Sequence, residues 1–115
     1  MQIDERTVEN VTILDLKGKL ICGNGDALLK DKIYSLVHQG HKQVLLNLGD
    51  LSYMNSPGLG EIVAGYTTVS RAGGSLKLLN LTKRIPDLLA ITKLLTVFET
   101  YQDEQEAVRS FLVTH

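Results

Sequence analysis

The segment Leu51-Ser52-Tyr53-Met54-Asn55-Ser56-Pro57-Gly58-Leu59-Gly60 holds the residue best placed to do chemistry in this chain. It follows a short apolar run, Val44 to Leu48, that reads as a buried strand. It leads into an amphipathic run, Leu59 to Val69, that reads as a helix. Ser56 therefore falls at the expected N-cap, with Pro57 at the first helical position, where a missing N–H costs nothing. A hydroxyl there lies beside the positive end of a helix dipole and unpaired backbone donors, surroundings that hold a phosphate. The residue types alone support two readings of Ser56, a helix cap and a covalent switch.

Other chemistry finds little support. The single Cys22 lies in a loop between strand and helix without a CxxC pattern or a His partner, and one cysteine makes no internal disulfide. His38 and His41 flank the end of the first helix and His115 is the last residue; no HExxH or Cys-His spacing suggests zinc. Gly58-Leu59-Gly60 lacks the third glycine of a dinucleotide loop, and Gly23-Asn24-Gly25 lacks the Lys-Ser/Thr of a Walker loop. A receiver-like phospho-acceptor domain would need paired acids and a late-strand Lys, and neither is found. Asp4, Glu5, Glu9 and Asp15 are expected on a solvated face of an edge hairpin. Asp103, Glu104 and Glu106 are expected to serve the start of the last helix.

The elements that position Ser56 follow from periodicity. Ile3–Val8 and Val11–Leu16 read as a hairpin turning at Glu9-Asn10. Asp26 caps a helix with Leu29, Ile33, Leu36 and Val37 on one face, stopped by Gly40. Val44–Leu48 is the third strand, and Leu59, Ile62, Val63, Tyr66 and Val69 recur at helical spacing. Gly65 is expected to allow close packing, while for Gly58 and Gly60 packing and an open approach for a partner both remain. Ala72-Gly73-Gly74 ends that helix. Leu76–Leu81, a helix over Lys83–Lys93, Val97–Tyr101 and a last helix carrying the apolar residues Ala107, Val108, Phe111 and Leu112 complete the order β-β-α-β-α-β-α-β-α. This is a single-domain α/β fold over 1–115, with a mixed, mostly parallel sheet of about five strands and about four helices.

A chain of 115 residues buries a real core, and a net charge of −1 with scattered Lys and Arg offers no field for nucleic acid or an anionic membrane. No Trp, two Phe and four Tyr leave little surface for stacking bases. The start has no signal-peptide pattern, and no apolar run approaches the roughly 20 residues of a membrane span. The expectation is a soluble, cytoplasmic protein with no membrane insertion.

Three segments together resemble the STAS-domain family, specifically its stand-alone bacterial anti-sigma factor antagonists. They are Asn47 to Gly60, then Arg71-Ala72-Gly73-Gly74-Ser75-Leu76-Lys77-Leu78, then the region from Leu88 to Leu94 and Val97-Phe98. The resemblance spans essentially the whole chain and implies that Ser56 accepts phosphate from an anti-sigma factor that is also a serine kinase. It implies that the unphosphorylated protein binds that kinase and frees a sigma factor, and that a metal-dependent phosphatase restores the antagonist. The chain would then be a substrate and regulator rather than an enzyme, with no cofactor. Its contact surface would comprise Asn55, Ser56, Pro57, Gly58, Leu59 and Gly60, with Ile21 and Asn24 from the neighbouring loop. Asn55 stands where the family commonly has Asp, keeping shape without charge. Pro57 replaces a small residue and removes one N–H, and Lys19-Leu20-Ile21 replaces a more acidic sequence. The alternative is a STAS subunit of a transport or lipid-trafficking assembly, independent of phosphorylation.

Overall fold

A computed structural model describes residues 2–20, 28–54, 56–80 and 99–112, with the main chain alone for Leu20, Leu28, Ser56 and Pro57. Strands β1 (Gln2–Val8) and β2 (Val11–Leu20) form the expected hairpin, with Val8 opposite Val11. Glu9 (φ 49°) and Asn10 (φ 71°) both occupy the left-handed region, as a two-residue turn of the primed type requires. Helix α1 (Leu28–His38), β3 (Gln43–Met54), α2 (Ser56–Arg71), β4 (Ser75–Leu79), β5 (Thr100–Tyr101) and α3 (Glu104–Leu112) follow. The sheet order is β1-β2-β3-β4-β5, antiparallel only at the hairpin.

Two cores lie on opposite faces of this sheet. Leu14 and Leu16 of β2, Val44, Leu46 and Leu48 of β3, and Leu76 and Leu78 of β4 pack against α1 and α2 through Leu29, Ile33, Leu36, Leu59, Ile62 and Val69. Alternate residues Val11, Ile13, Leu45 and Leu79 point the other way and meet Ala107, Val108 and Phe111 of α3. The period-two pattern of the strands supplies both cores at once. Leu112 is 43% exposed; it follows Phe111 around the helix and leaves the buried stripe.

Both long helices end as their glycines dictate. After α1 the His41 amide donates to Leu36 O and the Gly40 amide to Val37 O, with Gly40 at φ +87°. After α2 the same pair of bonds runs from Gly74 to Val69 and from Gly73 to Ser70. This is the Schellman arrangement, which satisfies carbonyls the helix leaves open. Where α1 crosses α2, a Cβ on Gly65 would stand 2.5 Å from Ile33 Cδ1, so close helix packing explains that glycine.

The strands differ from expectation in length. β2 continues to Leu20 and β3 to Met54, through residues with no apolar alternation. Their pairing carries two register shifts: Asp15 faces Asn47 but Lys17 faces Asp50, and Gly18 faces Leu51 but Lys19 faces Tyr53. Each shift is a bulge with one extra residue on β3. The core positions therefore run Leu46, Leu48, Leu51, Met54, first two apart and then three. The regular pattern stops at Leu48, and so did the expected strand. β4 and β5 begin or end within a few residues of expectation. The expected helix over 83–93 lies outside the described residues; three helices are among them.

Two glycines give opposite expectations. A Cβ on Gly74 would stand 2.1 Å from Lys42 O, a main-chain atom that cannot swing aside. A Cβ on Gly60 would meet nothing within 4 Å. Gly74→Ala is expected to lose at least about 2 kcal/mol in urea unfolding, while Gly60→Ala gains about 0.5–1 kcal/mol from its helical position.

Candidate functional site

β3 ends at Met54 and α2 begins at Ser56, and the chain passes from strand to helix at this corner. Ser56 opens α2, one residue ahead of the expected start at Pro57. The first turn of α2 contains no acidic residue, whereas α1 has Asp31 there and α3 has Glu104 and Glu106. The positive end of the α2 dipole is thus unopposed by a carboxylate of its own turn. Gly58 and Leu59 are buried, Leu59 as part of the core beneath the helices. Gly60 is exposed, and Tyr53, half exposed at 51%, presents its ring just ahead of the corner. Ser52 Oγ donates to Gly18 O at 2.9 Å, tying the last stretch of β3 to β2. Glu61, in the second turn of α2, accepts from the Lys30 amide in the first turn of α1 at 3.4 Å.

A second polar assembly crosses the α3 face of the sheet. Arg6 of β1 grips Asp15 of β2 with two hydrogen bonds, Nε to Oδ2 at 2.7 Å and Nη2 to Oδ1 at 3.2 Å. The same guanidinium reaches Glu104 at the start of α3, through Nη1 at 3.0 Å and through Nη2. Asn47 Nδ2 donates to Asp15 Oδ1 at 2.7 Å, and Asn47 Oδ1 accepts from Asn80 Nδ2 and the Gly49 amide, both at 3.1 Å. One chain of bonds therefore joins β1, β2, β3, the residue after β4, and α3.

Asp15 is 17% exposed, and its burial works against charge. Hydrogen bonds from Arg6 and Asn47 and the Arg6 charge outweigh that burial and hold its pKa below the ordinary value. The bonds to Glu104 and then Asp15 raise the pKa of Arg6 further above its usual value. At the hairpin's outer end, a hydrogen bond from Lys17 lowers the Asp4 pKa and the same bond raises that of Lys17. Glu5 pairs with Lys32 of α1. The hairpin acids Glu5 and Glu9 are exposed, as expected of a solvated face, and Asp4, Glu5 and Asp15 each face a cation supplied by folding.

Of the expected contact residues, the structure brings Ser56, Pro57 and Gly60 to the corner and sinks Leu59 into the core. Ile21, Asn24 and Asn55 lie outside the described residues, as do Cys22 and the expected cap Asp26. The polar crossing was missed. Its only sequence signal is one polar residue inside each apolar strand, Asp15 in Ile13-Leu14-Asp15-Leu16 and Asn47 in Leu45-Leu46-Asn47-Leu48. Among the described residues, no group of three His, Cys, Asp or Glu could hold a metal ion. A shallow pocket of about 290 Å³, lined by Val8, Glu9, Glu104, Gln105, Val108 and Arg109, lies across the sheet from α2.

Among the described residues, a mixed five-stranded sheet with two helices on one face, a third on the other and a serine opening α2 defines a small α/β module of a known kind. The STAS domain family model matches residues 2–107, and the chain belongs to that family. It is 33% identical over 99 residues to the anti-sigma-B factor antagonist of Bacillus subtilis, covering 86% of this chain and 89% of that one. The crystal structure of an anti-sigma factor antagonist from Mycobacterium paratuberculosis superposes with a TM-score of 0.84 at 15% identity, covering 97% and 94% of the two chains. The Bacillus cell fate determinant SpoIIAA in its phosphorylated form superposes with a TM-score of 0.73 at 20% identity, covering 95% and 98%. In its unphosphorylated form it gives 0.72 at 20% identity, covering 98% and 100%. At these identities the solved structures establish the shared fold.

Arg6→Ala leaves the Asp15 carboxylate without its cation. Because the guanidinium is partly exposed, the expected loss is about 1–2 kcal/mol at pH 7. A lowered carboxylate pKa stabilises the fold above the ordinary value of about 3.9 and loses that contribution as pH falls through the lower folded value. Urea unfolding of the two proteins is therefore expected to differ at neutral pH and to converge progressively below about pH 4.

Proposed function

We propose that this chain is an anti-sigma factor antagonist, a regulated binding module rather than a catalyst. Its partner is an anti-sigma factor with serine-kinase activity, which it sequesters to free a sigma factor in the cytoplasm. The observation that carries the proposal is Ser56 at the first residue of α2, on a chain one-third identical to an anti-sigma-B factor antagonist. In this reading the kinase transfers the γ-phosphoryl group of ATP to Ser56 Oγ, and a metal-dependent serine phosphatase removes it by hydrolysis. Asn55, Pro57 and Gly60 supply the surrounding contact surface with Ile21 and Asn24, while Gly58 and Leu59 seat the helix start. Nothing in the fold or in the relatives described above favours a transport or lipid-trafficking role.

The switch follows from charge. A phosphoserine adds nearly two negative charges. At the start of α2 the dipole accommodates them, an effect of about 0.3–1 kcal/mol. Enclosed in an interface without a partner, the same charge costs several kcal/mol, and about 1.4 kcal/mol changes affinity tenfold. Phosphorylation can thus dissolve the complex while leaving the antagonist folded, with no rearrangement of the sheet. Asn55 adds no competing charge, and Pro57 holds the turn stiff at the expense of one amide donor.

Incubation with an anti-sigma kinase shown to bind the chain, and ATP, is expected to add one phosphate, located at Ser56 by peptide mapping. An unchanged intact mass would sink the proposal. By calorimetry, Ser56→Asp is expected to weaken kinase binding at least about tenfold while Ser56→Ala binds as the wild type does. Equal affinities of the two variants would count against the charge mechanism.

A further inference from the structure

Asn47 makes three hydrogen bonds, and one of them falls inside the first bulge. Between Asp15 and Lys17, β2 passes only Leu16. Between their partners Asn47 and Asp50, β3 passes both Leu48 and Gly49. The Gly49 amide in that extra stretch donates to Asn47 Oδ1 at 3.1 Å. A bulge disrupts the ladder locally and leaves such groups in need of another acceptor. The two remaining bonds, to Asp15 and from Asn80, fix the Asn47 amide plane on both sides. Asp15 is itself clamped by Arg6, and the Asn80 amide donates to Tyr101 O at 2.8 Å. Gly49 fits closely beneath this group, since a Cβ there would stand 3.2 Å from Asn47 Oδ1 and 3.3 Å from Asn80 Cβ.

The bulge decides where β3 goes next. With unbroken alternation after Leu48, Asp50 and Ser52 would face the core that Leu51 now enters. The shift puts Leu51 inside, and the second shift does the same for Met54. Only Asn55 separates Met54 from α2, so little slack remains to absorb an error in register. A slip of one residue moves the strand end by about 3.3 Å, whereas phosphoryl transfer suffers from misplacement of about 1 Å.

We propose that Asn47 is a positioning residue for the switch: by holding the Gly49 amide between Asp15 and Asn80, it locks the bulge that sets where Ser56 stands at the start of α2. The inference rests on Ser56 being the phosphoacceptor. It adds that the polar crossing on the far face of the sheet governs how well that serine is presented.

The test combines amide hydrogen exchange with steady-state phosphorylation by an anti-sigma kinase that binds the chain. In Asn47→Ala, exchange is expected to quicken at least about tenfold at Leu51–Met54 and at Gly58 and Leu59. The kcat for transfer to Ser56 is expected to fall at least about tenfold, with KM within about threefold. Asn47→Ser keeps an acceptor for the Gly49 amide, because a serine hydroxyl reaches an amide two residues on, and is expected to hold both quantities within about threefold of wild type. If Asn47→Ala does not fold, the near-isosteric Asn47→Leu, which fills the same space without an acceptor, is judged by the same criteria. Unchanged exchange at the corner, faster exchange with unchanged kcat, or a folded Asn47→Ser as impaired as Asn47→Ala would each overturn the proposal. A wild-type chain that binds the kinase yet is never phosphorylated refutes the Ser56 reading, and the exchange rates alone then decide whether Asn47 sets the corner.

Discussion

Between Asp15 and Leu20, β2 takes five steps; the paired stretch of β3, from Asn47 to Met54, takes seven. Two parallel strands of unequal length stay hydrogen-bonded only if the longer one bulges, and here it does so twice. The constraint reaches in both directions. Toward the core, it brings Leu51 and Met54 onto the face already occupied by Leu46 and Leu48, extending one apolar surface under α1 and α2. Toward the functional end, it delivers the chain to Ser56 with a single residue between strand and helix. The exposed Lys17-Gly18-Lys19 stretch belongs to the sheet for the same reason. Its main chain continues a ladder whose other strand is anchored by buried leucine and methionine.

The sheet divides its labour between faces. The α1/α2 face is almost wholly apolar, as a surface covered by two helices must be. The opposite face is apolar only beneath α3, and beside that patch runs the polar line from Arg6 through Asp15 and Asn47 to Asn80. Bonds to a charged group surrounded by partners are stronger than bonds between neutral ones, and losing one partner leaves the others exposed to the desolvation cost. The line ties the edge hairpin to the central strand and, through Glu104, to the last helix. For the switch proposed above, such rigidity means that a phosphate at the start of α2 acts on the interface rather than relaxing into the fold.

Much of the architecture is legible in the chain because local rules set it. Glu9-Asn10 turns the hairpin, Gly40 and Gly73 close the helices in left-handed conformations, and the apolar spacing of Leu29, Ile33 and Leu36 faces α1 inward. The position of Ser56 at the start of α2 is equally local, to within one residue. What escaped notice was non-local or aperiodic. The strand extensions have no alternation because the bulges break it. Arg6 and Glu104 are 98 residues apart, and no spacing rule links them. Leu112 belongs to the hydrophobic count of the last helix but lies off its buried stripe.

The sequence by itself determined the order of the described elements, the family and the serine at the head of the second helix. These depend on short-range turn chemistry, periodicity and a recognisable segment. Only the tertiary structure decided that Leu59 is core while Gly60 is surface, and that Asp4, Glu5 and Asp15 are each paired with a cation. It also decided that Asn47, one polar residue in an apolar strand, accepts the Gly49 amide inside the bulge leading to the serine. The physical reason is that burial and pairing are properties of what packs alongside a residue. Strands that become neighbours only on folding supply those partners.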